Sequence, residues 1–383
     1  MLNRRSFVAF GATAILTTSL GARVAFASAK TERRFVFIIQ RGAADGLGTL
    51  APVGDPAFVS QRGSLAEDFA NAPKLDSTFA LHPAMTNLHG LYGAKQALFV
   101  HAVASPYRDR SHFDGQNVLE TGGTSAYAVR DGWLNRMLSL LPAEDKAIAL
   151  AATVPMALRG PVEVASYAPS ALPDATDDLM TRVTQMYAGD AQLHGLWEQA
   201  TQTRTLTSDM AADNGKNAAA TGALAARLLT APGGARIAMI ETGGWDTHAG
   251  QRGRLTGQLR GLDAMIGALQ TGLGPLWNDT VVLVATEFGR TVRVNGTQGT
   301  DHGTGSLAML VGGAVNGGRV LGDWPGLADA ALYENRDLKP TTGLDTVIAS
   351  AVSQHFDLTP AQAQAKLFPD LKGERAIQDI IRS

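Results

Sequence analysis

The stretch that indicates the fold most clearly is residues 236–248, RIAMIETGGWDTH, with the segment that follows it at 251–270, QRGRLTGQLRGLDAMIGALQ. Arg236 to Ile240 is an apolar run of strand length. The second segment places leucine and isoleucine side chains on one face at steps of three and four residues, which is typical of an amphipathic helix. A strand, a loop and a helix in this order form the repeating unit of an α/β protein.

Further apolar runs of strand length recur along the chain. Most are continuous rather than alternating, as expected for strands that are buried on both faces of a parallel sheet. Helical patterns lie between them, and two more close the chain at Leu344–Phe356 and Pro360–Leu367. We therefore predict a doubly wound, mostly parallel α/β sheet with helices on both faces. The other predicted strands are Phe35–Ile39, Ala97–Val103, Ala147–Val154, Thr280–Ala285 and Leu307–Val311.

The segment from about residue 174 to 230 differs in composition from the rest. It is rich in Ala, Thr, Gln and Asp, and its helical period is loose. We interpret it as a helical insertion in a single domain that spans residues 28–383.

The first 27 residues have the pattern of an export signal. Arg4 and Arg5 precede a weakly apolar stretch that ends in Ala25-Phe26-Ala27, a small-x-small cleavage pattern. The stretch contains two glycines and Arg23, so it is too polar for a stable membrane anchor. The paired arginines predict recognition by the twin-arginine translocase and delivery to the periplasm or beyond.

Composition restricts the partners and the metal ligands. The chain of 383 residues is 18% charged with a formal net charge of -2, which does not suggest binding to nucleic acid. It contains no cysteine, so a metal site must use His, Asp and Glu. A mixed set of imidazole and carboxylate ligands favours Zn²⁺ or Mn²⁺ over Mg²⁺.

Residues with metal-ligand side chains follow the predicted strands where each strand ends. Ligands of an open α/β sheet bind beyond the carboxyl ends of the strands, so a site is expected in these loops. The loops contain three of the eight histidines, each near a carboxylate. The candidate metal ligands are Asp45, His112, Asp114, Asp246, His248, Glu287, Asp301 and His302.

Spacing refines this set. Asp246 and His248 are two residues apart, so in an extended stretch both side chains point the same way. Asp301 and His302 are adjacent, so we expect only one of them, His302, to join the same ion. The remaining histidines are interpreted as structural, because a lone histidine is usually a satisfied hydrogen-bond partner. They are His82, His89, His101, His194 and His355.

Ser111 has two interpretations. Followed three residues later by Asp114, it forms the pattern of a capping box at a helix start. A helix N-terminus also attracts anions, so Ser111 could equally lie beside a substrate. The sequence leaves both roles open.

Five motifs in these loops resemble the bacterial family known as domain of unknown function 1501, placed in the alkaline phosphatase and sulfatase superfamily. The resemblance covers nearly all of the chain after the signal. It departs from the superfamily at Phe288, which replaces a ligand, and in lacking the formylglycine signature of sulfatases. The motifs are Arg41–Gly46, Arg110–Asp114, Gly243–His248, Glu287–Thr291 and Gly299–Gly303.

The resemblance implies an alkaline-phosphatase-like fold and a metal-dependent hydrolase of phosphate or sulfate esters, acting on a small-molecule or glycan ester. It implies up to two ions, one held by Asp45, Glu287 and His112 and the other by Asp246, His248 and His302. Asp114 and Asp301 would be ligands or would orient ligands. Ser111, or a metal-activated water, would attack, and Arg290, with Arg110, would neutralise the ester oxyanion. Two alternatives stay open: a non-catalytic metal-binding or assembly protein on the same fold, and a carboxyl-ester hydrolase.

Overall fold

The computed structural model describes residues 32–142, 146–168, 177–190, 193–195, 197, 198, 201, 217–370 and 375–382. The predicted signal lies outside the described residues, and so does part of the predicted insertion, chiefly residues 202–216. Within them, no helix has the length and apolar character needed to cross a membrane.

The described residues contain a nine-stranded sheet in the order β10-β4-β9-β8-β1-β7-β5-β6, with β11 also paired to β4. Five of the six predicted apolar runs form strands that are mutually parallel. The mostly parallel α/β sheet is therefore confirmed. The short strands β2 and β3 form a separate antiparallel pair. The strands are β1 (Arg34–Gln40), β2 (Leu50–Ala51), β3 (Ala80–Leu81), β4 (Ala97–Ala104), β5 (Ala147–Leu150), β6 (Ala165–Ser166), β7 (Ile237–Thr242), β8 (Thr280–Ala285), β9 (Ser306–Val311), β10 (Arg319–Leu321) and β11 (Thr342–Gly343).

Helices cover both faces of this sheet. Alternate residues of β1 point to opposite faces: Phe35 and Phe37 enter one core, whereas Val36 and Ile38 enter the other. The first core includes residues of the helices at 133–138, 344–355 and 360–367. The second includes residues of the helices at 86–93, 218–230 and 251–273. The helices are α1 (Gly46–Thr49), α2 (Phe58–Arg62), α3 (Thr86–Gly93), α4 (His112–Thr121), α5 (Trp133–Leu138), α6 (Asp177–Tyr187), α7 (Ala218–Thr230), α8 (Gln251–Leu273), α9 (Leu344–His355) and α10 (Pro360–Leu367).

Two features differ from the prediction. β9 runs antiparallel to both of its neighbours, because a strand buried on both faces has the same continuous apolar sequence in either direction. The end of the predicted insertion, α7, belongs to the core instead. Its Leu224, Leu228 and Leu229 are buried beside the apolar face of α8.

Candidate metal centre

The candidate centre lies at the edge of the sheet where β1, β4, β7 and β8 end. Because these four strands run in the same direction, the loops that follow them meet at one edge. The β7 loop supplies Asp246 and His248, and α4, which follows β4, supplies His112. The loop between β8 and β9 supplies His302.

Asp246 is at the centre of this group. Its Oδ1 lies 3.0 Å from His248 Nε2 and 3.2 Å from His302 Nε2, and its Oδ2 lies 3.4 Å from His112 Nε2. One ligand atom from each of His112, Asp246 and His302 lies within 4.8 Å of the other two. Ligand atoms of these three residues are therefore close enough to share one ion. His248 Nε2 adjoins two of them, because it lies 3.0 Å from Asp246 Oδ1 and 3.0 Å from His302 Nε2.

A second group fixes the ring of each histidine from behind. His112 Nδ1 lies 2.8 Å from Glu287 Oε1, and His248 Nδ1 lies 3.0 Å from Asp301 Oδ1. His302 Nδ1 lies 3.0 Å from the carbonyl oxygen of Arg110, which can only accept a hydrogen bond. Each Nδ1 is therefore the protonated nitrogen, and each Nε2 presents its lone pair to the group. Histidine ligands of protein metals are held in this way.

The surroundings of the three Nε2 atoms test whether a cation fits. His112 Nε2 is buried and makes no hydrogen bond. His248 Nε2 and His302 Nε2 lie 3.0 Å apart, although both present lone pairs. Two lone pairs at that distance repel unless a proton or a metal ion lies between them. The donor set therefore fits a divalent metal ion.

The pKa values of these groups move in different directions. The hydrogen bond from His112 to Glu287 raises the pKa of His112 above its usual value, against the effect of burial. Burial, helped by the nearby His112, lowers the pKa of His302. Burial would raise the pKa of Asp246, but the Arg290 guanidinium outweighs it and keeps that pKa low. The low pKa values of Asp246 and His302 favour the carboxylate and the neutral imidazole, which are the forms that bind metals, whereas His112 must lose a proton to bind one.

Glycines let the β8–β9 loop fold tightly enough to place His302. A Cβ atom on Gly289 would lie 1.9 Å from the carbonyl oxygen of Gly305, and one on Gly299 would lie 2.2 Å from the backbone of His248. The backbones of Arg290 and His302 form a β-bridge between these glycines. The Glu287–Thr291 and Gly299–Gly303 motifs thus lie side by side in one folded loop.

Two predicted ligands are placed elsewhere. The Asp45 carboxylate is buried, with Oδ2 bound to the Arg62 guanidinium and 2.5 Å from Gln251 Nε2. The Asp114 carboxylate accepts from the Tyr127 phenol, and among the described residues it is not part of the group that could hold a metal. The structure does not bring either of them into the group.

Glu287 and Asp301 stand behind the histidines rather than at the central point. Glu287 is fully buried, and its carboxylate accepts from the amide of Gly42, the hydroxyl of Thr286 and the side chains of His112 and Gln116. Its side chain is committed to holding His112. Phe288, the departure from the superfamily, stacks on the His112 ring with 5.1 Å between centroids.

The two predicted arginines are also committed. Arg290 is 1% exposed; its Nη1 donates to Asp246 Oδ1 at 2.5 Å and its Nε to the Thr300 hydroxyl at 3.1 Å. Arg110 binds Asp337 and Glu334. Neither is placed as predicted to meet a substrate oxyanion. Arg290 instead fixes the central carboxylate.

Ser111 is the N-cap residue of α4, as its spacing predicts, but its side chain makes no capping hydrogen bond. The capping box is therefore wrong in detail, because Asp114, which should complete it, binds Tyr127. The Ser111 backbone amide donates to the Tyr107 phenol at 3.1 Å. The hydroxyl stands beside His112 without a hydrogen bond to any described residue.

Some residues of the site were not predicted. Gln116 lies one helical turn after His112 and donates to Glu287 at 3.2 Å, a spacing that would have identified it. Asn295 donates to Asp301 Oδ1 at 3.1 Å and to the carbonyl of His248, and its place in a loop gave no such signal. The histidines interpreted as structural, such as His101 and His355, bind backbone carbonyls away from the group.

The fold and the group define an α/β protein with three histidines and one aspartate converging at the carboxyl edge of its sheet. The chain belongs to the family described as protein of unknown function (DUF1501), whose profile matches residues 32–368. The membership expected from the motifs is thereby confirmed. No curated protein matches the sequence significantly.

Several solved structures resemble parts of the chain at low identity. They include the zinc complex of the C-terminal periplasmic domain of EcEptC from Escherichia coli, at 8% identity and a TM-score of 0.37, covering 74% of this chain and 73% of that one. Alkaline phosphatase from the Antarctic bacterium TAB5 matches at 12% identity and a TM-score of 0.36, covering 74% of this chain and 92% of that one. A putative sulfatase from Bacteroides thetaiotaomicron matches at 9% identity and a TM-score of 0.39, covering 90% of this chain and 76% of that one.

Proposed function

We propose that this protein is a metal-dependent hydrolase of phosphate or sulfate esters. The observation that carries the proposal is the convergence of three imidazole Nε2 atoms on Asp246, each with its Nδ1 proton already bound elsewhere. Such a set is built to hold a cation and has no evident role in packing, because Asp246 and His248 are 41% and 43% exposed at the side chain. We infer that the ligands are His112, Asp246, His248 and His302, with Zn²⁺ or Mn²⁺ as the ion.

We infer one ion rather than two. The carboxylates expected to hold another ion, Asp45 and Glu287, already accept hydrogen bonds or ion pairs from Arg62, Gln251 and His112 among others. Freeing either carboxylate would leave a buried donor unpaired, at a cost of about 1–3 kcal/mol. Arg290 supplies a fixed positive charge on Asp246 instead.

The chain's own groups define the reacting region. A divalent ion here would polarise an ester oxygen and lower the pKa of a water that it binds. Ser111 places a hydroxyl with no hydrogen bond to described residues next to His112. Ser111 and His112 also stand at the N-terminus of α4, and a helix N-terminus favours an anionic group beside it. Partial exposure of Asp246 and His248 leaves the group open to a substrate.

The proposal is tested with chromogenic phosphate monoester, phosphate diester, sulfate and acetate substrates. The chain should be stripped with a chelator and reloaded with Zn²⁺ or Mn²⁺. We expect metal-restored turnover of a phosphate or sulfate ester, abolished by His302→Ala and kept by the exposed control His89→Ala. Turnover of acetate alone would identify a carboxyl-ester hydrolase. Bound metal without turnover of any ester would favour a metal-binding or assembly protein.

We also propose that the protein works in the periplasm after twin-arginine export. The support is the sequence of the first 27 residues. Replacing Arg4 and Arg5 with lysine should leave the precursor in the cytoplasm. An unchanged periplasmic yield would contradict the proposal.

A further inference from the structure

A cavity of about 310 Å³ lies at the carboxyl end of β4, and none of its lining residues belongs to the histidine group. The loop between β4 and α4 forms one wall, and the strand β11 with the start of α9 forms another. Pro106 and Pro340 contribute apolar surface. The polar lining includes Ser105, Arg108, Thr124, Thr342, Asp345 and Asp370.

Arg108 has donors to spare in this lining. Its Nη1 donates to the carbonyls of Ser105 and, at 2.8 Å, Tyr107. Its Nε and Nη2 make no hydrogen bond or ion pair with any described residue. Those two nitrogens form the edge of a guanidinium that pairs bidentately with an oxyanion. Burial also lowers the pKa of Arg108, as expected for a partly desolvated charge that no carboxylate offsets.

The rest of the lining requires hydroxyl groups on the ligand. Asp345 and Asp370 would repel a bare anion, but they can accept hydrogen bonds from hydroxyls. The hydroxyls of Thr124 and Thr342 can donate and accept. The volume lies at the lower end of the range for small-molecule sites. We propose that the cavity binds an acidic sugar unit, with its oxyanion on Arg108 and its hydroxyl groups on Asp370, Thr124 and Thr342.

The loop that lines the cavity also leads into the candidate metal centre. The Ser105 hydroxyl donates to the carbonyl of Glu287 at 3.4 Å, and the Tyr107 phenol accepts from the amide of Ser111. Arg108 and His112 are only four residues apart. The cavity thus suits a sugar neighbouring the one that carries the ester. This last step rests on the proposed function, whereas binding of the acidic sugar does not.

The experiment titrates the full chain with D-glucuronate, D-glucose and inorganic phosphate by calorimetry, both metal-loaded and after chelation. We expect saturable glucuronate binding in both forms, with glucose weaker by about tenfold or more because it lacks the charged partner of Arg108. Arg108→Gln should weaken glucuronate binding by about tenfold or more. Arg130→Gln, an exposed arginine outside the cavity, should leave it unchanged.

Three results would overturn the proposal. They are glucose binding as tightly as glucuronate, an Arg108→Gln variant with wild-type affinity, and phosphate binding without glucuronate binding. Because the chelated protein is included, these results do not depend on whether any ester is hydrolysed. Loss of the hydrolase proposal would therefore leave the binding result intact.

Discussion

At the scale of single residues, the site depends on which nitrogen of each histidine carries the proton. His302 illustrates this, since a backbone carbonyl behind Nδ1 leaves only Nε2 to face Asp246. The sequence indicated that His302, not Asp301, should join the ion, because adjacent side chains diverge. It could not indicate that Asp301 would hold His248 from behind, which depends on loop geometry.

Glu287 provides the sharpest test of this arrangement. Its Oε1 accepts from Gly42, His112 and Gln116, and its Oε2 faces the Thr286 hydroxyl, so Glu287→Gln can keep an oxygen for those donors but removes the negative charge that holds the His112 ring. We expect metal affinity to fall by about 10- to 100-fold, with full occupancy recovered at high metal concentration. Competition with a coloured chelator measures this. Glu241→Gln is the matched control, and equal losses in both variants would contradict the role given to Glu287.

Ser111 can now be tested as a nucleophile with less ambiguity. A capping serine costs about 1 kcal/mol of stability when changed to alanine, but Ser111 makes no capping bond, so Ser111→Ala should leave unfolding nearly unchanged. If Ser111 attacks, the variant should lose most ester turnover at full metal content. Turnover close to that of the wild type would instead indicate that water, and not Ser111, attacks the ester.

At the scale of elements, most of the sheet was predictable and the path of its loops was not. β8 matches its predicted bounds, and the predicted start of β4 is confirmed. The direction of β9 depends on how the chain turns back after β8, and the amino-acid sequence of β9 does not indicate this turn. The same limit explains Asp45. It follows β1 as predicted, yet α2 brings Arg62 to it across the chain.

The Asp45–Arg62 pair makes a prediction about how these elements are joined. Both side chains are 1% exposed, so Asp45→Asn would leave a buried guanidinium uncompensated. We expect a loss of about 3–5 kcal/mol in unfolding free energy, measured with urea, and an unchanged metal content in the folded protein. Arg252→Ala, which removes an exposed arginine from its pairs with Glu67 and Asp68, should cost much less. Loss of metal with retained stability would restore Asp45 as a ligand.

At the scale of the whole molecule, two buried histidines couple stability to pH. Burial lowers the pKa of both His101 and His355 to about 4. The unfolded chain protonates them near pH 6.5, so their neutral forms favour folding fully above that pH. Between pH 6.5 and 4 the unfolded state binds more protons, and stability falls as pH falls.

We expect each of these histidines to lower the free energy of unfolding by roughly 2 kcal/mol when the pH falls from 6.5 to 5. His355→Gln keeps a donor for the carbonyl of Arg34 but removes the titration, so its unfolding free energy should fall less over this range than that of the wild type. Urea unfolding at both pH values measures the difference. His89→Gln, at an exposed position, is the control. Parallel losses in the wild type and His355→Gln would show that His355 does not contribute.

We infer that His112, His248, His302 and Asp246 hold one divalent ion. The most direct test is metal content per chain, by mass spectrometry of the protein after loading with Zn²⁺ or Mn²⁺ and removal of free metal. We predict one ion per wild-type chain and close to none in Asp246→Asn or His302→Ala, with His89→Ala unchanged. A wild-type chain that retains no ion, or an Asp246→Asn chain that retains as much as the wild type, would contradict the account.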